Sequence, residues 1–152
     1  MLFDLPKTAF LSSRRVVPAA VMRCYDWASE MRERGRCVIG GFQSALESDV
    51  LKLLLPAGGP SIVMVLARGM WKTVPKEYRQ AIDEGRLLVV SFFPQRIVRV
   101  SQETAEKRNA FVLDNCEEAV FASIDPEGSL ARLVAARPHL HYQRMEMVRP
   151  FG

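Results

Sequence analysis

Small residues and basic side chains recur just after short apolar runs along this 152-residue chain, a combination suited to holding phosphate. Ser12-Ser13-Arg14-Arg15 follows residues 8–11, and Gly40-Gly41-Phe42-Gln43-Ser44 follows residues 37–39. Ala67-Arg68-Gly69-Met70-Trp71-Lys72 follows residues 61–66, and a loop from Phe92 to Ser101, with Arg96 and Arg99, follows residues 87–90. Asp125-Pro126-Glu127-Gly128-Ser129 follows residues 119–123. Glycine and serine let an anion approach the free N–H groups of a helix start, where the peptide dipoles leave partial positive charge. Arginine adds a two-pronged donor matched to phosphate oxygens. Each piece also has a plain structural use. Gly40-Gly41 can make a tight turn, Gly128-Ser129 can cap a helix, and Glu47 and Asp49 can complement a helix dipole. Trp71, Phe92 and Phe93 can equally be core.

Charge is distributed unevenly. The net charge is +4, and no Asp or Glu occurs in residues 50–76 or 85–102. Those windows carry Lys52, Arg68, Lys72, Lys76, Arg86, Arg96 and Arg99. A charge run is most often a solvated face, so the fold has to decide whether these cations converge.

The elements that would position them alternate in type. Strands are predicted at residues 8–11, 37–39, 61–66, 87–90 and 119–123, with a final edge strand at 139–145 that would carry His139 and His141 on one face. Helices are predicted at 18–34, 45–55, 75–84, 103–115 and 129–136, using Pro at helix starts and Gly at stops. Repeated strand–helix–strand units imply right-handed crossovers and a mainly parallel, doubly wound Rossmann-like sheet with helices on both faces. Residues 61–66 (SIVMVL) are continuously apolar after Ser61, as a strand covered on both faces requires. The expected strand order is 3-2-1-4-5, with the 61–66 and 8–11 strands as central neighbours. Ligands of such sheets bind outside the carboxyl ends of the strands, where all five loops above should open.

Length and composition bound the rest. With 49% apolar and 25% charged residues the chain reads as one globular domain over residues 1–152. No apolar run approaches the roughly 20 residues needed to cross a bilayer, and the first residues lack the pattern of a signal peptide. A cytoplasmic location is expected. Cys24, Cys37 and Cys116 lie in apolar stretches and are expected to be buried thiols rather than a disulfide or metal set. His139 and His141, without a third ligand, do not make a metal site. No P-loop is present.

Four segments together resemble the DNA-processing protein A family (DprA, also called Smf). Ala9-Phe10-Leu11-Ser12-Ser13-Arg14 resembles its strand and Gly-Ser-Arg motif. Residues 39–47 are similar to its Ser-Gly-Leu-Ala-x-Gly-Ile-Asp segment, and Arg108-Asn109-Ala110-Phe111-Val112 to its Arg-Asn-Arg-Ile-Ile helix. Ala119-Val120-Phe121-Ala122 followed by Gly128-Ser129-Leu130 resembles its last strand and Gly-Ser-Leu turn. The resemblance runs over residues 8–134. It implies a Rossmann-like fold of the SLOG superfamily, single-stranded DNA as ligand, a homodimer, and a RecA-type recombinase as partner. By position it implies that Arg14 contacts phosphate, Gly40 and Gly41 line the pocket, and Arg108, Asn109, Gly128 and Ser129 complete it. The sequence departs from the pattern at Ser12, at Ser44-Ala45-Leu46-Glu47 and at Ala110.

The same superfamily includes phosphoribohydrolases of the "Lonely Guy" type, with Pro-Gly-Gly-x-Gly-Thr-x-x-Glu. Here Arg132 stands where their glutamate belongs, so no hydrolase activity and no cofactor is expected. Two functions of different class are left: a groove for single-stranded DNA, with Trp71, Phe92 and Phe93 available to stack bases, and a module for a free nucleotide. In both, Ser12, Ser13, Arg14, Gly40, Gly41, Gln43, Ser44, Arg68, Lys72, Arg108, Asn109, Gly128 and Ser129 are the expected phosphate contacts.

Overall fold

Side chains alternate across each strand, so a strand that is apolar throughout must have both faces covered. In β1 (Lys7–Leu11), Phe10 points into one apolar layer while Ala9 and Leu11 point into another. In β3 (Ile62–Val65), Ile62 and Met64 join the first layer and Val63 and Val65 the second. The computed structural model, which describes residues 2–148, assigns these layers to two sets of helices. Helices α1 (Pro18–Arg34), α2 (Ala45–Leu54) and α3 (Lys76–Asp83) supply Trp27, Met31, Leu51, Leu54 and Ala81 to the first. Helices α4 (Gln102–Asp114) and α5 (Ser129–Ala135) supply Val112, Leu113 and Leu130 to the second.

The remaining strands are β2 (Cys37–Gly40), β4 (Leu87–Val90), β5 (Glu118–Phe121) and β6 (Tyr142–Arg144). All neighbouring pairs are parallel, in the order β4-β3-β2-β1-β5-β6. The protein is thus a Rossmann-like doubly wound α/β fold. Two expectations are corrected. The fourth strand lies outside β3, not beside β1, and the 61–66 strand is interior but separated from β1 by β2. Three successive crossovers carry the chain outward on one face before α4 returns it to β5 on the other. The strand order therefore reverses between β1 and β5.

Local chemistry sets the boundaries. Pro18 opens α1 and Gly35 closes it, its N–H donating to the Met31 carbonyl. Capping boxes start α2 (Ser44 with Glu47) and α4 (Ser101 with Thr104), each satisfying helix-end amides that would otherwise lack a partner. His139 and His141 precede β6 rather than lying in it, and both are exposed. Cys24 and Cys37 are buried, Cys116 is half-buried, and all three are free thiols.

Candidate nucleic-acid interface

The sheet order lines up the loops at its carboxyl edge as those of β4, β3, β2, β1 and β5. Residues 91–101, 66–75, 41–44 and 12–17, which follow the first four, contain no Asp or Glu. They carry Arg14, Arg15, Arg68, Lys72, Arg96 and Arg99. Among the described residues none of these six cations has a carboxylate partner. The fifth loop reverses the sign, with Asp125 and Glu127 exposed. At about 4.8 Å per strand the cationic ledge from β1 to β4 is roughly 15 Å wide. Lys52, on the outer side of α2, and Arg86 lie off it. Arg86 enters β4 from the opposite edge, donating to the Leu55 carbonyl at 2.8 Å and pairing with Glu84.

At the start of α2 the sequence-predicted anion cradle already holds an anion. The buried Glu47 carboxylate accepts N–H bonds from Ser12 at 2.9 Å, Gln43 at 3.1 Å and Ser44 at 3.0 Å. It ties the end of β1 to the β2–α2 turn. The signal was legible, since Ser44-x-x-Glu47 is a capping-box pattern, but nothing in the sequence said that the carboxylate would also reach across to β1.

Beside it lies Arg108, only 4% exposed. Its Nη2 donates to Gln43 Oε1 at 3.1 Å, its Nε to Asn109 Oδ1 at 2.8 Å, and its Nη1 to the Val65 carbonyl at 3.5 Å. Burial pulls its pKa below the ordinary value, and the nearby Glu47 charge opposes that shift. Gly41 is required here, because a Cβ would collide with the guanidinium. Gly40 is less crowded, a Cβ there standing 3.0 Å from the Phe10 carbonyl oxygen. Ser12, Gly40, Gly41, Gln43, Ser44, Arg108 and Asn109 are therefore brought together, with Arg108 and Glu47 as internal members.

A second group forms where strand order reverses. Ser13 donates its N–H to the Ser123 carbonyl at 3.1 Å, and its Oγ accepts from the Asp125 N–H at 2.8 Å. The turn continues through Gly128, whose N–H returns to the Asp125 carbonyl, into Ser129 and α5. Arg14 leaves this junction exposed, with no partner among the described residues. Arg132 pairs with Glu106 at 2.9 Å on the surface between α5 and α4.

Arg68 and Lys72 form a third group at the β3–β4 end. They line a pocket of about 320 Å³ with Met70, Trp71, Thr73, Gln95 and Val98. A larger pocket of about 620 Å³ opens at the opposite, amino edge of the sheet. There Arg36 and Glu118 neutralise one another at 3.3 Å, and Lys7 is turned onto the carbonyls of Phe3 and Leu5. Among the described residues no group of His, Cys, Asp and Glu could hold a metal ion, and no helix is long and apolar enough to cross a membrane.

Solved structures of known proteins share this fold. The chain is similar to DNA processing protein A from Helicobacter pylori, with a TM-score of 0.66 at 20% identity over 88% of this chain and 62% of that one. It is similar to DprA from Streptococcus pneumoniae, with a TM-score of 0.71 at 15% identity over 94% of this chain and 51% of that one. The molybdenum cofactor binding protein of Rippkaea orientalis is also similar, with a TM-score of 0.54 at 10% identity over 87% and 69% of the two chains. The chain spans 62% and 51% of the two DprA structures, the proteins that the four sequence motifs resemble. At these identities the likeness is one of fold. No protein-family model and no curated protein matches the sequence.

Proposed function

We propose that this protein binds single-stranded DNA along the carboxyl-edge ledge. Arg14, Arg15, Arg68, Lys72, Arg96 and Arg99 contact phosphates, and Ser13 and the Gly128-Ser129 turn flank the end of the track. The observation that carries this reading is the run of four acid-free loops presenting six cations that have no carboxylate partner among the described residues. Cations left unpaired on one edge make a positive potential that a polyanion relieves. The Helicobacter pylori protein of this fold is one described for its binding of single-stranded DNA, which supports the choice of ligand. Contacts to phosphate position a strand without reading its sequence, so little base preference is expected.

Buried Glu47 and Arg108 are assigned to the scaffold beneath the ledge. Asn109 and Gln43 hold Arg108, while Gly40, Gly41, Ser12 and Ser44 give the crowded floor its shape. The protein is proposed to hydrolyse nothing: the position of the phosphoribohydrolase glutamate holds Arg132, paired with Glu106. A homodimer, which would double the track, belongs to the same proposal, and light scattering would give its mass as twice 17.2 kDa.

A second reading, recognition of a free nucleotide or similar cofactor, is favoured by the pocket of about 320 Å³ beside Arg68 and Lys72, at the lower end of the range for small-ligand sites. Titrating an oligonucleotide and a series of mononucleotides, each at two salt concentrations, separates the two. Single strands lose affinity with a slope of about −0.7 per phosphate contact in log–log salt plots, so four to six contacts give roughly −3 to −4. A mononucleotide bound more tightly than the oligonucleotide, with little response to salt, rejects the strand reading. Release of free base from a nucleoside monophosphate rejects the non-enzymatic one.

A further inference from the structure

Arg14 and Arg15 stand exposed on a loop beyond the end of β1, so something outside the sheet has to aim them. Three hydrogen bonds tie that loop to residues 123–125. Ser13 donates its N–H to the Ser123 carbonyl and accepts from the Asp125 N–H, and Ser123 Oγ donates to the Arg15 carbonyl at 2.8 Å. Among the described residues no other hydrogen bond joins residues 13–15 to a different element. The direction of the two arginines therefore depends on residues 123–125, which themselves lie past the end of β5.

Those residues are braced from the far side. Pairing of β5 with β6 reaches Phe121 opposite Arg144. Beyond that point side chains take over from the main chain. Glu146 Oε1 accepts the Ile124 N–H at 3.1 Å, and Arg144 Nη2 donates to the Ile124 carbonyl at 3.2 Å. Arg144 Nε also donates to Glu146 Oε1 at 2.7 Å, so the two side chains form one fork on the backbone of one residue. Ile124 is buried, and a buried peptide group needs such partners. The fork is anchored in turn on α1, where Arg23 donates to the Met145 carbonyl at 2.8 Å. As an ion pair, partly exposed Arg144 and Glu146 add little stability. Their distinguishing feature is where they hold the chain, one residue from each of the two that grip the Arg14 loop.

We infer that Arg144 and Glu146 are positioning residues for strand binding: they fix Ile124, and through Ser123 and Asp125 they hold Arg14 and Arg15 at the phosphate track. The inference rests on the proposed strand binding. It assigns part of the grip to side chains that are engaged with the protein backbone instead of with phosphate.

Charge gives the test a sign. Glu146→Ala removes a negative charge, as Glu127→Ala does, and electrostatics alone would leave oligonucleotide binding unchanged or stronger in both. Positioning predicts the opposite for Glu146→Ala: weaker binding, with the log–log salt slope flattened by about 0.7 to 1.4, one to two contacts on a single strand. Glu146→Gln keeps an acceptor for the Ile124 N–H and should recover most of the loss. In the Arg14→Ala/Arg15→Ala protein, adding Glu146→Ala should change neither affinity nor slope further, because the residues it positions are gone. Additive losses would mean a general loosening of the fold and would overturn the inference. Arg144→Met, which empties only the carbonyl side of the fork, runs through the same cycle as a second variant. Hydrogen exchange reads the fork in the unaltered protein: the Ile124 amide should be protected, and rapid exchange there overturns the brace. Salt-dependent binding by the wild type, with Glu146→Ala behaving like Glu127→Ala, overturns the positioning role and leaves strand binding standing. A wild-type protein that shows no salt-dependent oligonucleotide binding overturns both.

Discussion

The guanidinium of Arg108 fills the space that a side chain at Gly41 would need, so these two residues, far apart in the chain, are one packing unit. Arg108 is held from the other side by Val65, Gln43 and Asn109. Moving it would leave a buried charge with broken bonds. Gly41→Ala is therefore expected to destabilise the protein by about 1–3 kcal/mol, the cost of a buried donor left unpaired. A shift of the urea midpoint without a change in slope would register it; an unchanged midpoint would mean that Arg108 can leave its site freely.

Glu47 is the acceptor on which three backbone amides depend. Glu47→Ala removes all three bonds and leaves Arg108 without its nearby negative charge, for an expected loss of about 3 kcal/mol or more. Glu47→Gln keeps an acceptor oxygen and should cost clearly less. Equal losses in the two variants would contradict the role given to the carboxylate as a hydrogen-bond hub.

Arg14 is exposed and has no partner among the described residues, so its removal should leave stability nearly unchanged. Arg14→Ala should weaken binding to different oligonucleotides about equally and flatten the salt dependence by roughly one phosphate contact. Glu127→Ala, at the acidic end of the edge, should leave binding unchanged or slightly stronger. Affinity indifferent to both salt and Arg14 would remove the electrostatic basis of the proposed function.

Burial pushes the thiols of Cys37 and Cys116 up to about 11 and that of Cys24 up to about 12. The unfolded chain should release these protons near the ordinary thiol value of about 8.5. Above that value the folded state binds more protons than the unfolded one, so stability falls as pH rises. The decline should be visible from about pH 9 toward 11 in denaturant midpoints. Alkylation near pH 8 should label the native protein slowly and the urea-unfolded protein at all three positions; rapid native labelling would contradict the burial.

Much of this architecture is legible in the residues themselves. Helix α1 spans Pro18–Arg34, the range marked out by a proline suited to its first turn and a glycine after its last. The β3 run had to be a strand covered on both faces because no polar residue in it could face water. The acid-free stretches of the loops after β1 to β4 are equally a property of the sequence, and a parallel sheet alone places those loops on one edge.

The tertiary structure decided the rest. A right-handed crossover fixes the hand of each connection but not the side of the sheet to which it leads. Helices that are apolar on one face fit either layer equally well, so the position of β4 outside β3 was settled only by how α3 and α4 pack. Burial of Arg108 and Glu47 has the same origin. A charged side chain is read as solvent-facing unless its partners are known, and those partners, Ser12, Gln43 and Val65, come from three separate loops and strands. Only folding brings them within hydrogen-bond distance, which leaves Arg108 and Glu47 buried under the carboxyl-edge loops.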